Sequence, residues 1–186
     1  YKTIVITSSN PGEGKSTTAG NLALTLAEGE AKVLLVDCDM RKPSMHKSFR
    51  ITNTYGISNI LLQKQKVMDV AHCYNKNLSI ITAGKVPPNP AEMLASKAMT
   101  AFLKEMKEHF DYIVLDTPPV QAVADAQILS TKVDCTLVVV RAGVTKKDEV
   151  QNTVNTLKKV NADIIGTILH AVDNTRNKYQ YYYGNE

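Results

Sequence analysis

Nothing constrains the fold of this chain more than its first 27 residues. Thr3-Ile4-Val5-Ile6-Thr7 is short, apolar and β-branched, the composition of a strand buried in a parallel sheet. It runs into Ser9-Asn10-Pro11-Gly12-Glu13-Gly14-Lys15-Ser16-Thr17, and from Ser16 to Ala27 leucines and alanines recur at helical spacing. Strand, glycine-rich turn, Lys-Ser and helix together form the context of a phosphate-binding loop. Gly12 and Gly14 let backbone N–H groups turn inward as an anion nest. The helix that follows aims its positive dipole end at the same point. Lys15 then neutralises the β- and γ-phosphates of a nucleotide, and the Ser16 hydroxyl ligates Mg²⁺. Pro11, Gly12, Glu13, Gly14, Lys15, Ser16 and Thr17 are therefore the candidate nucleotide-binding residues. Ser9 stands where the usual pattern has its first glycine. The alternative, a purely structural glycine turn, leaves the flanking strand and helix unexplained.

Two further apolar runs end in acids. Val33-Leu34-Leu35-Val36 is followed by Asp37-Cys38-Asp39, and Tyr112-Ile113-Val114-Leu115 by Asp116-Thr117-Pro118-Pro119. Ligands of open α/β sheets bind at the C-terminal ends of the strands. Asp37 and Asp39 share a face only while the chain stays extended, and a turn after Asp37 breaks that relation. Acids at strand ends also serve as caps and loop anchors. Asp116 has the form of the aspartate that holds the Mg²⁺ hydration shell in phosphate-loop proteins.

The 186 residues suffice for one domain with a full core. Strands are expected near Thr3, Val33, Leu78, Asp111 and Asp134, with a sixth near Ile164, separated by helical patterns. That alternation predicts a three-layer α/β/α sandwich around a mostly parallel sheet, of the phosphate-loop NTPase fold, with right-handed crossovers. Gly84 to Pro90, with three prolines, reads as a loop at the ligand edge. The expected division is an ATP-binding domain over 1–174 and a mobile tail over 175–186. A net charge of +4 with dispersed lysines does not indicate nucleic-acid binding. No run approaches the ~18 apolar residues of a membrane span, and no signal peptide is visible, so a cytoplasmic domain is expected. Cys38, Cys73 and Cys135 lack metal-like spacing and read as reduced thiols. The four histidines form no ligand pattern, and no transition metal is expected.

The loop, Asp37-Cys38-Asp39-Met40-Arg41-Lys42-Pro43, Asp116-Thr117-Pro118-Pro119 and the tyrosine-rich C-terminus together resemble the bacterial tyrosine kinases of capsule and exopolysaccharide synthesis. Pro87-Pro88-Asn89-Pro90-Ala91-Glu92 and Asp125-Ala126 are similar to that family's intervening segments, so the resemblance covers nearly the whole chain. It implies an ATP- and Mg²⁺-dependent protein tyrosine kinase unrelated to the eukaryotic ones, whose signatures are missing from the sequence. By resemblance Lys15, Ser16 and Thr17 bind ATP and Mg²⁺, Asp37 lies nearest the incoming tyrosine hydroxyl, and Asp39 and Asp116 serve the metal. Arg41 and Lys42 either orient phosphate oxygens or belong to a surface or subunit contact. Partition and septum-placement ATPases carry a lysine in place of Asn10, and that lysine reaches across a dimer, so its absence argues against such a dimer. His170 stands where many relatives have an adenine-reading asparagine. It either donates to a base or is an ordinary strand-end histidine.

Tyr179, Tyr181, Tyr182 and Tyr183, four of the eight tyrosines, crowd into the last eight residues. A polar, mobile, tyrosine-dense tail can enter another subunit's active site without unfolding anything; the alternative is a packed aromatic strand. The resemblance implies phosphorylation of these tyrosines between subunits. It also implies a membrane-anchored activator of the polysaccharide machinery that holds the domain at the inner face of the membrane, and a cognate tyrosine phosphatase. Each phosphate adds roughly −1.5 to −2 charges, so a change in assembly is expected to follow. The family's ring-forming helix with Glu-x-x-Arg-x-x-Arg has no counterpart in this sequence, which leaves ring assembly to a segment ahead of Tyr1 or to other contacts. A switch ATPase, in which water takes the phosphate and nucleotide state controls docking, shares the loop and both acids.

Overall fold

In the computed structural model, which describes residues 1–172, every anticipated apolar run becomes a strand of one sheet. The strands are β1 (Thr3–Ser8), β2 (Val33–Asp37), β3 (His72–Cys73), β4 (Leu78–Ile81), β5 (Tyr112–Asp116), β6 (Cys135–Arg141) and β7 (Ile164–His170). They lie in the order β3-β4-β2-β5-β1-β6-β7, all parallel except β3, which pairs antiparallel with β4. Two-residue β3 was not anticipated; so short a segment carries no period that a sequence pattern can register.

The helices are α1 (Lys15–Glu28), α2 (Met45–Ser48), α3 (Ile57–Leu61), α4 (Val67–Val70), α5 (Pro90–Ala95), α6 (Lys97–His109), α7 (Asp125–Ser130) and α8 (Lys147–Lys159). Strand alternation divides the core between them. Val5, Leu34, Val36, Ile113 and Leu115 point to one face, where Met93 and Leu94 of α5 and Met99, Phe102 and Leu103 of α6 cover them. Ile4, Ile6, Val33, Leu35 and Val114 point to the other, against Ala19, Ala23 and Ala27 of α1. Alanines on the buried stripe of α1 bring its backbone close to the sheet, and so bring its N-terminus close to the strand ends. The anticipated cover on both faces thins at β7, an edge strand with Ile165 and Leu169 exposed.

The chain order around β1 positions the site. β1 sits between β5 and β6, while β2 lies on the far side of β5. The sequence must therefore leave β1 through α1 and return two strands away, which opens a crevice above the C-terminal ends of β1, β2 and β5. The loop from Ser9 to Gly14, the end of β2 and the end of β5 all meet there.

Candidate active site

Gly12 (φ 79°) and Gly14 (φ 92°) both adopt the left-handed conformation that lets consecutive N–H groups converge. Gly14 is also the residue from which α1 starts, its carbonyl accepting from Thr18 N at 2.8 Å. A Cβ on Gly14 would stand 2.3 Å from Cδ2 of His170. His170 thus packs against the turn itself, from the end of β7.

The loop is braced from the β6 side. Glu13 is buried at 2 % exposure, with one carboxylate oxygen accepting from Asn10 N at 2.9 Å and the other from the Thr145 hydroxyl at 2.7 Å. Arg141, at the end of β6, donates to Gly12 O at 2.9 Å. The Thr153 hydroxyl of α8 donates to Ser9 Oγ at 2.8 Å. Ser9 therefore does in this loop what a glycine does not: it ties the loop's entry to α8. Arg141, Thr145 and Thr153 escaped the sequence reading. Arg141 follows an apolar run at the ligand edge, a signal that marks it in retrospect; the two threonines carry none.

On the other side stand the acids. Lys15 Nζ lies 3.2 Å from Asp39 Oδ2, 3.8 Å from Asp116 Oδ1 and 3.2 Å from Ser16 Oγ. The chain does turn after Asp37, and the two β2-end carboxylates part. Asp37 is fully buried, accepting from the backbone N–H groups of Asp39 (3.1 Å), Ser44 (3.0 Å) and Met45 (3.0 Å). Asp39 takes Lys42 N on one oxygen at 3.0 Å and offers the other to Lys15. Arg41 makes two hydrogen bonds, each 3.1 Å, to the fully buried carboxylate of Asp125 at the start of α7. Thr17 is exposed and faces a separate small hollow with Asn21, Ser48 and Tyr74.

Burial pushes the Asp116 carboxyl up to about 7, even though Lys15 pulls it down. Burial likewise pushes Asp37 up to about 6 against the pull of the Met45 and Ser44 N–H groups. Cys38, enclosed between these acids, is driven well above the usual thiol range by burial first and then by Asp37 and Asp116, so its thiol stays protonated. All three cysteines are free.

Both oxygens of Asp116 are buried and, among the described residues, lack a hydrogen-bond partner. A buried carboxylate left in this way costs free energy unless something of opposite charge meets it. Its neighbours Ser16 and Asp39 are oxygen donors of the kind Mg²⁺ takes. The residues therefore fit a hydrated divalent cation, which Ser16, Asp39 and Asp116 would hold.

A cavity of about 400 Å³ opens over this cluster, lined by Pro11, Gly12, Lys15, Ser16 and Asp39 and also by Pro118, Pro119, Ala122 and Val123. A larger hollow of about 710 Å³, beside α8, is lined by Gln121, asparagines and lysines and contains no carboxylate. The smaller one is where an anion nest, a lysine and metal-type carboxylates converge. Tyr179, Tyr181, Tyr182 and Tyr183, and the 174/175 boundary, lie outside the described residues. No helix among the described residues is long and apolar enough to cross a membrane.

Comparison with known proteins agrees with this geometry. Residues 1–169 match the family described as an AAA domain. The tyrosine-protein kinase YwqD of Bacillus subtilis is 40% identical over 184 residues, covering 98% of this chain and 78% of that protein. The putative tyrosine-protein kinase CapB of Staphylococcus aureus is 36% identical over 187 residues, covering all of this chain and 82% of that one. Among solved structures, the kinase domain of the Escherichia coli tyrosine kinase ETK superposes with a TM-score of 0.90 at 33% identity, over 100% of this chain and 72% of that one. Sheet order, phosphate loop and relatives agree, and the chain belongs to the bacterial tyrosine-protein kinases, as a catalytic domain on the phosphate-loop nucleotide-binding fold.

Proposed function

We propose that this domain transfers the γ-phosphoryl group of ATP to tyrosines of its own C-terminal cluster, Tyr179, Tyr181, Tyr182 and Tyr183, in a neighbouring copy. The observation that supports this most is Lys15 held between Asp39 and Asp116 at the mouth of the phosphate nest. A lysine so placed exchanges its carboxylate partners for the β- and γ-phosphates when nucleotide enters. Ser16, Asp39 and Asp116 would hold Mg²⁺, which supplies charge neutralisation on the phosphates. The phenol oxygen then forms a bond to the γ-phosphorus as the bond from that phosphorus to the β–γ bridging oxygen breaks, and ADP leaves. The phenol, with an ordinary pKa of about 10, must give up its proton. In this proposal Asp37, whose carboxyl burial raises to about 6, takes it, and Asp39 stays with the metal. Phosphoryl transfer depends mainly on positioning and charge neutralisation, so a carboxylate base suffices.

In this reading the biological setting is control of capsular or exopolysaccharide synthesis and export, at the inner face of the cell membrane. A membrane-anchored activator and a phosphatase complete it. Names of the relatives support the kinase activity; the tail as acceptor rests on its tyrosine density. Intact mass with peptide mapping, before and after Mg-ATP, tests it. Phosphate on the four tail tyrosines with Lys15 present, and none in Lys15→Met, is the expected result. ADP release with an unmodified tail would replace this reading with a switch ATPase.

A further inference from the structure

One wall of the cleft is more apolar than a triphosphate requires. Phosphate oxygens and a hydrated cation are served by N–H groups, a lysine and carboxylates; aliphatic surface gives them nothing. Yet the cavity that Lys15 and Asp39 line is also lined by Pro118, Pro119, Ala122 and Val123. A phenol has the matching division, an apolar ring with a polar tip.

The wall is fixed rather than loose. Thr7 Oγ1 donates to Pro118 O at 3.0 Å, Val120 N to Ser8 O at 2.9 Å and Gln121 N to Ser9 O at 3.2 Å, so the segment is pinned along β1 and the loop's entry. Ala122 N closes a turn onto Pro119 O at 3.1 Å. Just beyond, buried Asp125 anchors the segment's far end to Arg41. Pro118 and Pro119 are buried at the base of this wall, Val123 is half-buried and Ala122 exposed at its lip. The surface is thus set before a substrate arrives, which spares the ordering cost that a mobile loop would incur.

We propose that the segment from Pro118 to Val123 is the wall against which the acceptor's aromatic ring lies, with its hydroxyl directed toward the acids at the end of β2, and that this wall selects tyrosine over serine and threonine. A serine or threonine carries its hydroxyl on a short side chain without a ring. Neither fills the apolar wall. The inference rests on the tyrosine-transfer reading above.

Two experiments test it with a synthetic peptide of residues 174–186. In the first, Ala122→Phe is expected to raise KM for the peptide by more than about tenfold, and Val123→Ala by about fivefold, from occlusion and from lost ring contact respectively. An unchanged urea midpoint of each variant reports an intact fold. In the second, the peptide carries p-benzoylphenylalanine in place of its tyrosines and is irradiated with the MgADP-loaded chain, which requires no turnover. Label on residues 118–123 is expected. Label elsewhere, no label, or unchanged peptide kinetics in Ala122→Phe would overturn the wall. Wild-type chain that releases ADP but never modifies a peptide that labels residues 118–123 would instead overturn the transfer reading.

Discussion

Asp116 and Asp134 stand at opposite edges of the same parallel sheet, one at the C-terminal end of β5 and the other at the N-terminal end of β6. Asp134 accepts from Lys2 N at 2.8 Å, from Thr3 N at 2.9 Å and from Lys107 Nζ at 2.7 Å. Partial burial pushes its carboxyl up, but Lys107 and those N–H groups outweigh burial and hold it below the usual range. Asp116 is more deeply buried and, among the described residues, has no partner within hydrogen-bond distance and geometry, with Lys15 at 3.8 Å offsetting its charge. The N-terminal edge satisfies its charges internally, which is what stability alone selects. At the C-terminal edge the charge of Asp116 is left under-compensated, the arrangement expected where a ligand of opposite charge is to bind.

The comparison breaks most readily on activity. Asp116→Asn and Lys15→Met are each expected to lower phosphate incorporation by about 10²-fold or more, since both act on the charge that develops in transfer. Asp134→Asn should leave turnover per folded molecule unchanged. A phosphotyrosine time course on the three chains decides it, and an Asp134→Asn chain as inactive as Asp116→Asn would erase the contrast.

Stability should move the other way. Asp134→Asn loses charged hydrogen bonds at a partly exposed site, an expected loss of about 1 kcal/mol after solvent screening. Asp116→Asn removes a buried, under-compensated charge and is expected to stabilise the nucleotide-free chain by about 1–2 kcal/mol at pH 8. Urea denaturation of both variants reads the opposite signs directly. A destabilised Asp116→Asn would mean that its pairing with Lys15 outweighs its burial.

The pH dependence sharpens the same point. Asp116 titrates near its ordinary 3.8 when unfolded and at about 7 in the fold, so between those values the folded chain holds the extra proton. Stability of the nucleotide-free chain therefore falls as pH rises from about 4 to about 7, and is flat for this group above that. Asp37, raised to about 6, contributes with the same sign. Melting temperatures at pH 5 and pH 8 should differ more in the wild type than in Asp116→Asn. Equal differences would assign the slope to other groups.

What the sequence disclosed follows the same division. Inner strands were legible because each is a mostly apolar run, rich in β-branched residues and too short for a buried helix, and α1 was placed to within one residue at each end, Lys15–Glu28 against an expected Ser16–Ala27. Lys15, Asp39 and Asp116 were legible because each sits at a fixed offset from a strand end. Thr145 and Thr153 were not, because their partners Glu13 and Ser9 lie 132 and 144 residues away and nothing local marks the pairing. The hydrogen bonding of Asp37 was also hidden. Its carboxylate is spoken for by N–H groups of Ser44 and Met45, and only the path of the turn reveals this.

The smallest expected effect separates the two sides of the loop itself. Thr145 receives Arg141 N at 2.9 Å and donates to Glu13 at 2.7 Å, so Thr145→Val keeps the shape and deletes both bonds. One oxygen of a carboxylate at 2 % exposure is then left without a donor, a loss of about 1–3 kcal/mol that loosening of the Asn10–Gly14 turn would relieve. Because Glu13 shapes the nest without lining the cleft, the change should fall on nucleotide binding, with KM for ATP raised about three- to tenfold and kcat nearly unchanged. Steady-state kinetics over a range of ATP concentrations reads the split. A fall in kcat at constant KM would mean that the β6 side of the loop takes part in the transfer step, and the loop's two sides would no longer divide into one that binds and one that reacts.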